Sequence, residues 1–87
     1  MHDFENVELL FKQLIAASER SLSDAERDEI VEFVDVGEYG VALRTAVGIY
    51  VEEKNIPSMN EIELINRLAL AMLMDPSTML DSLRAIE

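Results

Sequence analysis

Apolar residues recur along this chain at helical spacing throughout. Phe4, Val7, Leu10, Phe11, Leu14 and Ile15 follow one another at intervals of three and four, which places them on one side of a helix from Asp3 to Ser18. Leu9 flanks that stripe and widens the face expected to be buried, while Glu5, Glu8, Lys12 and Glu19 fall mostly off it. Beyond the connector Arg20-Ser21-Leu22, Ser23 and Glu26 have the S-x-x-E spacing of a capping box, in which each side chain satisfies a backbone N–H of the other. A second helix therefore runs from Asp24 to about Val36, with Ile30, Phe33 and Val34 inward.

Gly37 suits the left-handed position that ends a helix, so the chain turns there and restarts at Glu38 or Tyr39. In the third helix Tyr39, Leu43, Ala46, Val47 and Tyr50 form the main buried stripe. Ala42, Ile49 and Val51 carry apolar character around most of its circumference, which assigns this helix to the middle of the domain. Gly40, Arg44 and Gly48 share a flank at spacings of four; two missing side chains there predict close approach by another helix in preference to a ligand contact. The pair Ile56-Pro57 stops the helix.

Ser58 and Glu61 repeat the capping-box spacing and open a fourth helix from about Met59 to Met74, with Ile62, Ile65, Leu68, Ala69 and Met72 inward and Leu64, Leu70, Ala71 and Leu73 making it broadly apolar. Asp75-Pro76 reads as an N-cap with proline at the first helical position, and Met79, Leu80, Leu83 and Ile86 continue a short last helix. Met59, Met72, Met74 and Met79 lie near apolar stripes and read as core gap-fillers in preference to an adaptable binding groove. The prediction is an all-α fold: one domain spanning residues 1–87, a small bundle of four to five short helices with no internal repeat or linker.

Charge changes the picture. Eighteen acidic residues against seven basic ones give a net charge of −11, which repels nucleic acid and anionic lipid and favours a basic protein partner. Acidity that merely keeps a small protein soluble is the competing explanation. The chain has no cysteine, which removes disulfides, thiolate chemistry and zinc-finger sites together and fits a reducing compartment. It has no apolar run of membrane-spanning length and no basic leader, so the expectation is a soluble, cytoplasmic protein.

No catalytic pattern is visible. The acids form a continuous face instead of a pair held in different environments, Gly37-x-x-Gly40 lacks the strand and lysine of a phosphate loop, and His2 is single and terminal, a solvated residue with no assigned role. The expectation is therefore no enzyme, no cofactor and no metal site.

The acidic residues are not spread evenly. Successive steps of ~100° put Asp24, Asp28, Glu32 and Asp35 together on the outward side of the second helix. Asp24/Asp28 and Asp28/Glu32 are like-charge pairs at i, i+4, each destabilising an isolated helix by ~0.2–0.5 kcal/mol, and acids in the last turn oppose the helix dipole. Stability alone would not select this arrangement. A partner-binding surface of Asp24, Asp28, Glu32 and Asp35, continued by Glu38 and Tyr39 beyond the turn, gives the acids a use through electrostatic steering. Tyr39 is open to two readings, an aromatic anchor for a partner or a core tyrosine, and the charged run to a second reading as a simple solvated face.

The same stretch carries a resemblance. Leu22-Ser23-x-x-Glu26-Arg27, the run Glu32-Phe33-Val34-Asp35-x-Gly37-Glu38-Tyr39-Gly40-Val41-Ala42-Leu43, then Ile56-Pro57 and Ile65-x-x-Leu68-Ala69-x-x-Met72-x-Met74-Asp75 together look like the MafI family of small bacterial immunity proteins. The match covers about Leu22 to Asp75, and the turn from Gly37 to Leu43 is its most distinctive part. The resemblance implies a cytoplasmic antidote, encoded beside a polymorphic toxin and neutralising it by stoichiometric binding; many such toxins are nucleases with basic clefts. A cognate toxin, basic in character, is then the expected partner, with no nucleic acid and no membrane, and a monomer and a homodimer are equally compatible. The alternative is a small helical interaction or regulatory subunit of a cytoplasmic complex unrelated to toxins.

Overall fold

The computed structural model describes residues 3–86; His2 lies outside them. Five helices follow in order: α1 Phe4–Ala17, α2 Asp24–Asp35, α3 Tyr39–Glu52, α4 Met59–Ala71 and α5 Ser77–Arg84. The expected all-α bundle is what the chain forms, with no strand among the described residues. Its radius of gyration, 11.7 Å, is close to the ~12 Å of a compact domain this size.

Local chemistry starts most of the helices. Asp3 accepts the Asn6 N–H at the head of α1, and both predicted capping boxes are complete, Ser23 with Glu26 and Ser58 with Glu61. At α5 the helix begins one residue later than proline at the first position predicts: Pro76 is the N-cap, and the Asp75 carboxylate reaches over it to accept from both the backbone N–H and the hydroxyl of Ser77. Those two bonds hold the Asp75 carboxyl below its ordinary pKa.

Three helices end in the same Schellman geometry. After α2, Glu38 N–H donates to Phe33 and Gly37 N–H to Val34; after α3, Asn55 donates to Tyr50 and Lys54 to Val51; after α4, Met74 donates to Ala69 and Leu73 to Leu70. The motif needs one left-handed residue. Gly37, at φ +79°, takes it without strain, but Lys54 and Leu73 sit at φ 54° and 57°. Leu73 ends α4 at Ala71, short of the Met74 expected from the apolar pattern. Its side chain is 83% exposed, so packing does not offset the strain. Leu73→Gly is accordingly expected to stabilise the fold by about 1 kcal/mol, raising the thermal midpoint by about 4–8 °C; a melt followed by circular dichroism checks it, and an unchanged or lower midpoint contradicts the strain argument.

α1 and α4 pack antiparallel along most of their length, the C-terminal end of α1 beside Asn60 and Leu64. α2 and α3 form a hairpin about Gly37, and α5 lies on α3. The core between them contains Val7, Phe11, Leu14, Ile30, Leu43, Ala46, Tyr50, Ile65 and Leu68. α3 touches α2, α4 and α5, the central position predicted for it.

Several apolar expectations are corrected. Leu9 and Phe4 are about half exposed, and Met59 is 87% exposed, so neither Leu9 nor Met59 joins the core; Met72, Met74 and Met79 do pack against it. On α4 the inward side is centred on Glu61, Leu64, Ile65, Leu68 and Ala69, with Ile62 and Met72 only half-buried. No helix closes on the glycine flank of α3: a Cβ at Gly48 would meet nothing within 4 Å, and one at Gly40 only Arg44 Nη1 at 3.7 Å. Glycine spacing permits close approach, but the neighbouring helix α5 crosses elsewhere and leaves an open groove past Gly48.

Candidate functional site: an acidic surface on α2

The capping box fixes where α2 begins, and burial of Ile30 with partial burial of Phe33 and Val34 fixes which side faces in. The outward side follows from the helical period. Asp24, Asp28, Glu32 and Asp35 are all exposed, as is Glu38 in the turn. Between Asp24 and Asp35 the acids extend over roughly 16 Å of helix.

Their electrostatic surroundings differ. Asp24 is engaged by the guanidinium of Arg27, one turn along the same helix. The other ion pairs among the described residues are Arg67–Glu63 and Arg84–Asp81, so Asp28, Glu32, Asp35 and Glu38 have no described cation within ion-pair distance. α2 has no basic residue in its last turn, which leaves Glu32 and Asp35 working against the helix dipole. Glu38 is the exception, because it occupies the N-cap of α3, where a negative charge is favourable. Its presence has a structural reason that Asp28, Glu32 and Asp35 lack, whereas Asp24 has one in the first turn of α2 and its pairing with Arg27.

Tyr39 does not stand out beside the α2 acids as a free anchor. It is half-buried and turned toward α1, its ring 5.7 Å from Phe4 and 6.3 Å from Phe11 between centroids. Burial, then hydrogen bonding to and repulsion by the Glu8 carboxylate, hold its phenol above the ordinary tyrosine pKa. Tyr39 thus links the head of α3 to the first turns of α1 and brings Glu8 into the neighbourhood of the α2–α3 hairpin.

A groove separates α1 from α2. Phe11 and Ile15 line it from α1, Val31 and Val34 from α2, and Glu8, Lys12 and Asp35 stand at its walls. Asp35 is the one predicted contact residue that lines this concavity; Asp28 and Glu32 lie on the outer ridge of the same helix. Sequence reasoning missed Glu8 and Val31. Val31 carried a signal, since a β-branched apolar residue among outward acids is out of place on a purely solvated face.

The best-formed polar cluster lies elsewhere, at the junction of the α1–α2 connector, α3 and α4. Glu61 is 1% exposed, and its carboxylate accepts from Tyr50 Oη at 2.6 Å, the Ser58 backbone N–H at 2.7 Å and Ser21 Oγ at 3.0 Å. Burial pushes this carboxyl up, but the bonds from Tyr50, Ser58 and Ser21 outweigh it and hold it below the usual range. The same burial and the neighbouring Glu61 push the Tyr50 phenol far above its ordinary value. Each hydrogen bond closes within the protein, which makes this a structural junction.

Among the described residues no three His, Cys, Asp or Glu side chains come together in a way that could hold a metal ion, and no helix is long and apolar enough to cross a membrane. Comparison with known protein families, curated proteins and solved structures finds no match for this chain.

Proposed function

We propose that this chain is an immunity protein that binds a cognate bacterial toxin domain through its acidic α2 surface and neutralises it, acting in the cytoplasm of the producing cell. One observation carries the reading: Asp28, Glu32 and Asp35 are exposed and without ion-pair partners among the described residues, in positions where their mutual repulsion and the helix dipole weaken α2. An arrangement that costs the fold and gives nothing back within it is accounted for by a basic surface on another molecule. The resemblance of Leu22 to Asp75 to MafI-type immunity proteins supplies the class of partner. A basic nuclease-type toxin has a cleft evolved for phosphate, and an acidic helix laid against it competes with the nucleic acid for the same cations.

Co-expression with the toxin domain encoded by the adjacent gene tests the proposal. The expected result is restored viability of cells that otherwise die, and a stoichiometric complex on size-exclusion chromatography. Continued killing with no complex, for each neighbouring toxin, rejects it. Purification instead with a cytoplasmic assembly unrelated to toxins assigns the chain to the regulatory-subunit alternative.

A further inference from the structure

We infer that the α1–α2 groove is the centre of the partner contact and takes a single arginine or lysine side chain of the partner, its aliphatic stem on the apolar floor and its charged head between Glu8 and Asp35. The inference rests on the proposed function for the nature of the partner, and on the groove itself for the mode of contact.

A flat acidic ridge such as Asp28–Glu32 can attract a basic protein, but exposed ion pairs add little affinity and fix no register. A concavity with an apolar floor and charged walls does both. The floor here is Phe11, Ile15, Val31 and Val34, with Phe11 buried at its base and the other three half-buried, so they offer apolar surface without being swallowed by the core. Long cationic side chains bury their methylenes along such surface and keep the head group at a polar edge. The head group finds carboxylates from two different helices, Glu8 on α1 and Asp35 on α2, both exposed. Neither is in an ion pair among the described residues; Lys12, although on the same wall and one turn from Glu8, pairs with neither. Guanidinium is the better fit of the two cations, because its planar fork of donors matches a carboxylate bidentately and is more weakly hydrated than an ammonium.

The test uses the full chain, isotopically labelled, and a blocked tripeptide, acetyl-Gly-Arg-Gly-amide, with the citrulline tripeptide of the same shape and no charge as control. In amide NMR spectra the arginine peptide is expected to give saturable shifts centred on Phe11, Ile15, Val31, Val34 and Asp35, and the citrulline peptide none. Glu8→Gln with Asp35→Asn should weaken the arginine peptide about tenfold, the loss of two such contacts, whereas Glu52→Gln with Glu53→Gln, at the exposed end of α3, leaves it within about twofold. Shifts centred on Asp28 and Glu32, equal shifts with citrulline, or no saturable shifts overturn the inference. Failure here is distinct from failure of the proposed function. A wild-type toxin complex that Glu8→Gln with Asp35→Asn leaves unweakened removes the groove and keeps immunity; absence of any toxin complex removes immunity while the peptide titration still decides the groove.

Discussion

Glu61→Ala is expected to lower the unfolding free energy by about 3–4 kcal/mol, a third or more of the stability of an ordinary domain of this size. The substitution keeps the Ser58 N-cap bond to the backbone N–H of residue 61 but removes the reciprocal half of the α4 capping box, and leaves the Tyr50 hydroxyl and the Ser21 hydroxyl facing a site that no longer accepts from them. A buried donor stripped of its acceptor costs about 1–3 kcal/mol. Glu61→Gln keeps the volume and one acceptor oxygen but turns an NH2 toward donors, so about half of that loss is expected. Urea unfolding measures both; a loss under about 0.5 kcal/mol for alanine would show that the junction relaxes or rehydrates freely.

The pH dependence has a definite sign. The folded Glu61 carboxyl titrates below its ordinary value of 4.5, so the stability it contributes is present in full above that value and is lost as pH falls through the folded one. The folded Tyr50 phenol titrates above 10.0, so its contribution is complete below 10 and disappears as pH rises toward the folded value. Urea midpoints should therefore be flat across neutral pH and fall at both ends. In Glu61→Gln the acid-side decline should shrink, because the residue no longer titrates.

This junction also shows where the sequence was legible and where it was not. The S-x-x-E spacing at Ser58 and Glu61 predicted the cap correctly, because both partners lie within one turn. It could not show that Glu61 is buried, since that depends on Tyr50, eleven residues earlier, and Ser21, forty residues earlier. One clue is in the sequence: Tyr50 falls on the apolar stripe of α3, and a buried phenol needs an acceptor. The face of α4 was misplaced for a related reason. With Ile62, Leu64, Ile65, Leu68 and Leu70 spread around it, the helix has no strong period of its own, and the antiparallel contact with α1 chooses which side goes in. The acidic side of α2 was readable because its inward residues are few and its capping box fixes the start. The direction of Tyr39 is not, because the rings that receive it, Phe4 and Phe11, come from α1 and both fall on its apolar stripe, though Phe4 is half exposed.

Asp28→Lys with Glu32→Lys is expected to slow association with the toxin domain proposed as partner by about tenfold or more at low salt, within the range that electrostatic steering supplies. The change reverses the centre of the outward face and takes the formal net charge from −11 to −7. The same substitutions should leave the free chain as stable as before or slightly more so. A lysine at position 28 faces Asp24 one turn away, and a lysine at position 32 suits the negative end of α2. A slower association by a chain that is no less stable cannot be attributed to misfolding. Salt separates steering from contact: the difference between variant and wild type should narrow sharply between 0.05 M and 0.5 M salt, as the screening length falls from about 14 Å to about 4 Å. Glu52→Lys with Glu53→Lys, at the exposed end of α3, makes the same net-charge change away from α2. If steering comes from the α2 face, this control should retain most of the wild-type rate. Equal slowing by both variants would mean that the partner responds to the overall charge of the molecule, and an unchanged rate for Asp28→Lys with Glu32→Lys would remove the outer ridge from the encounter.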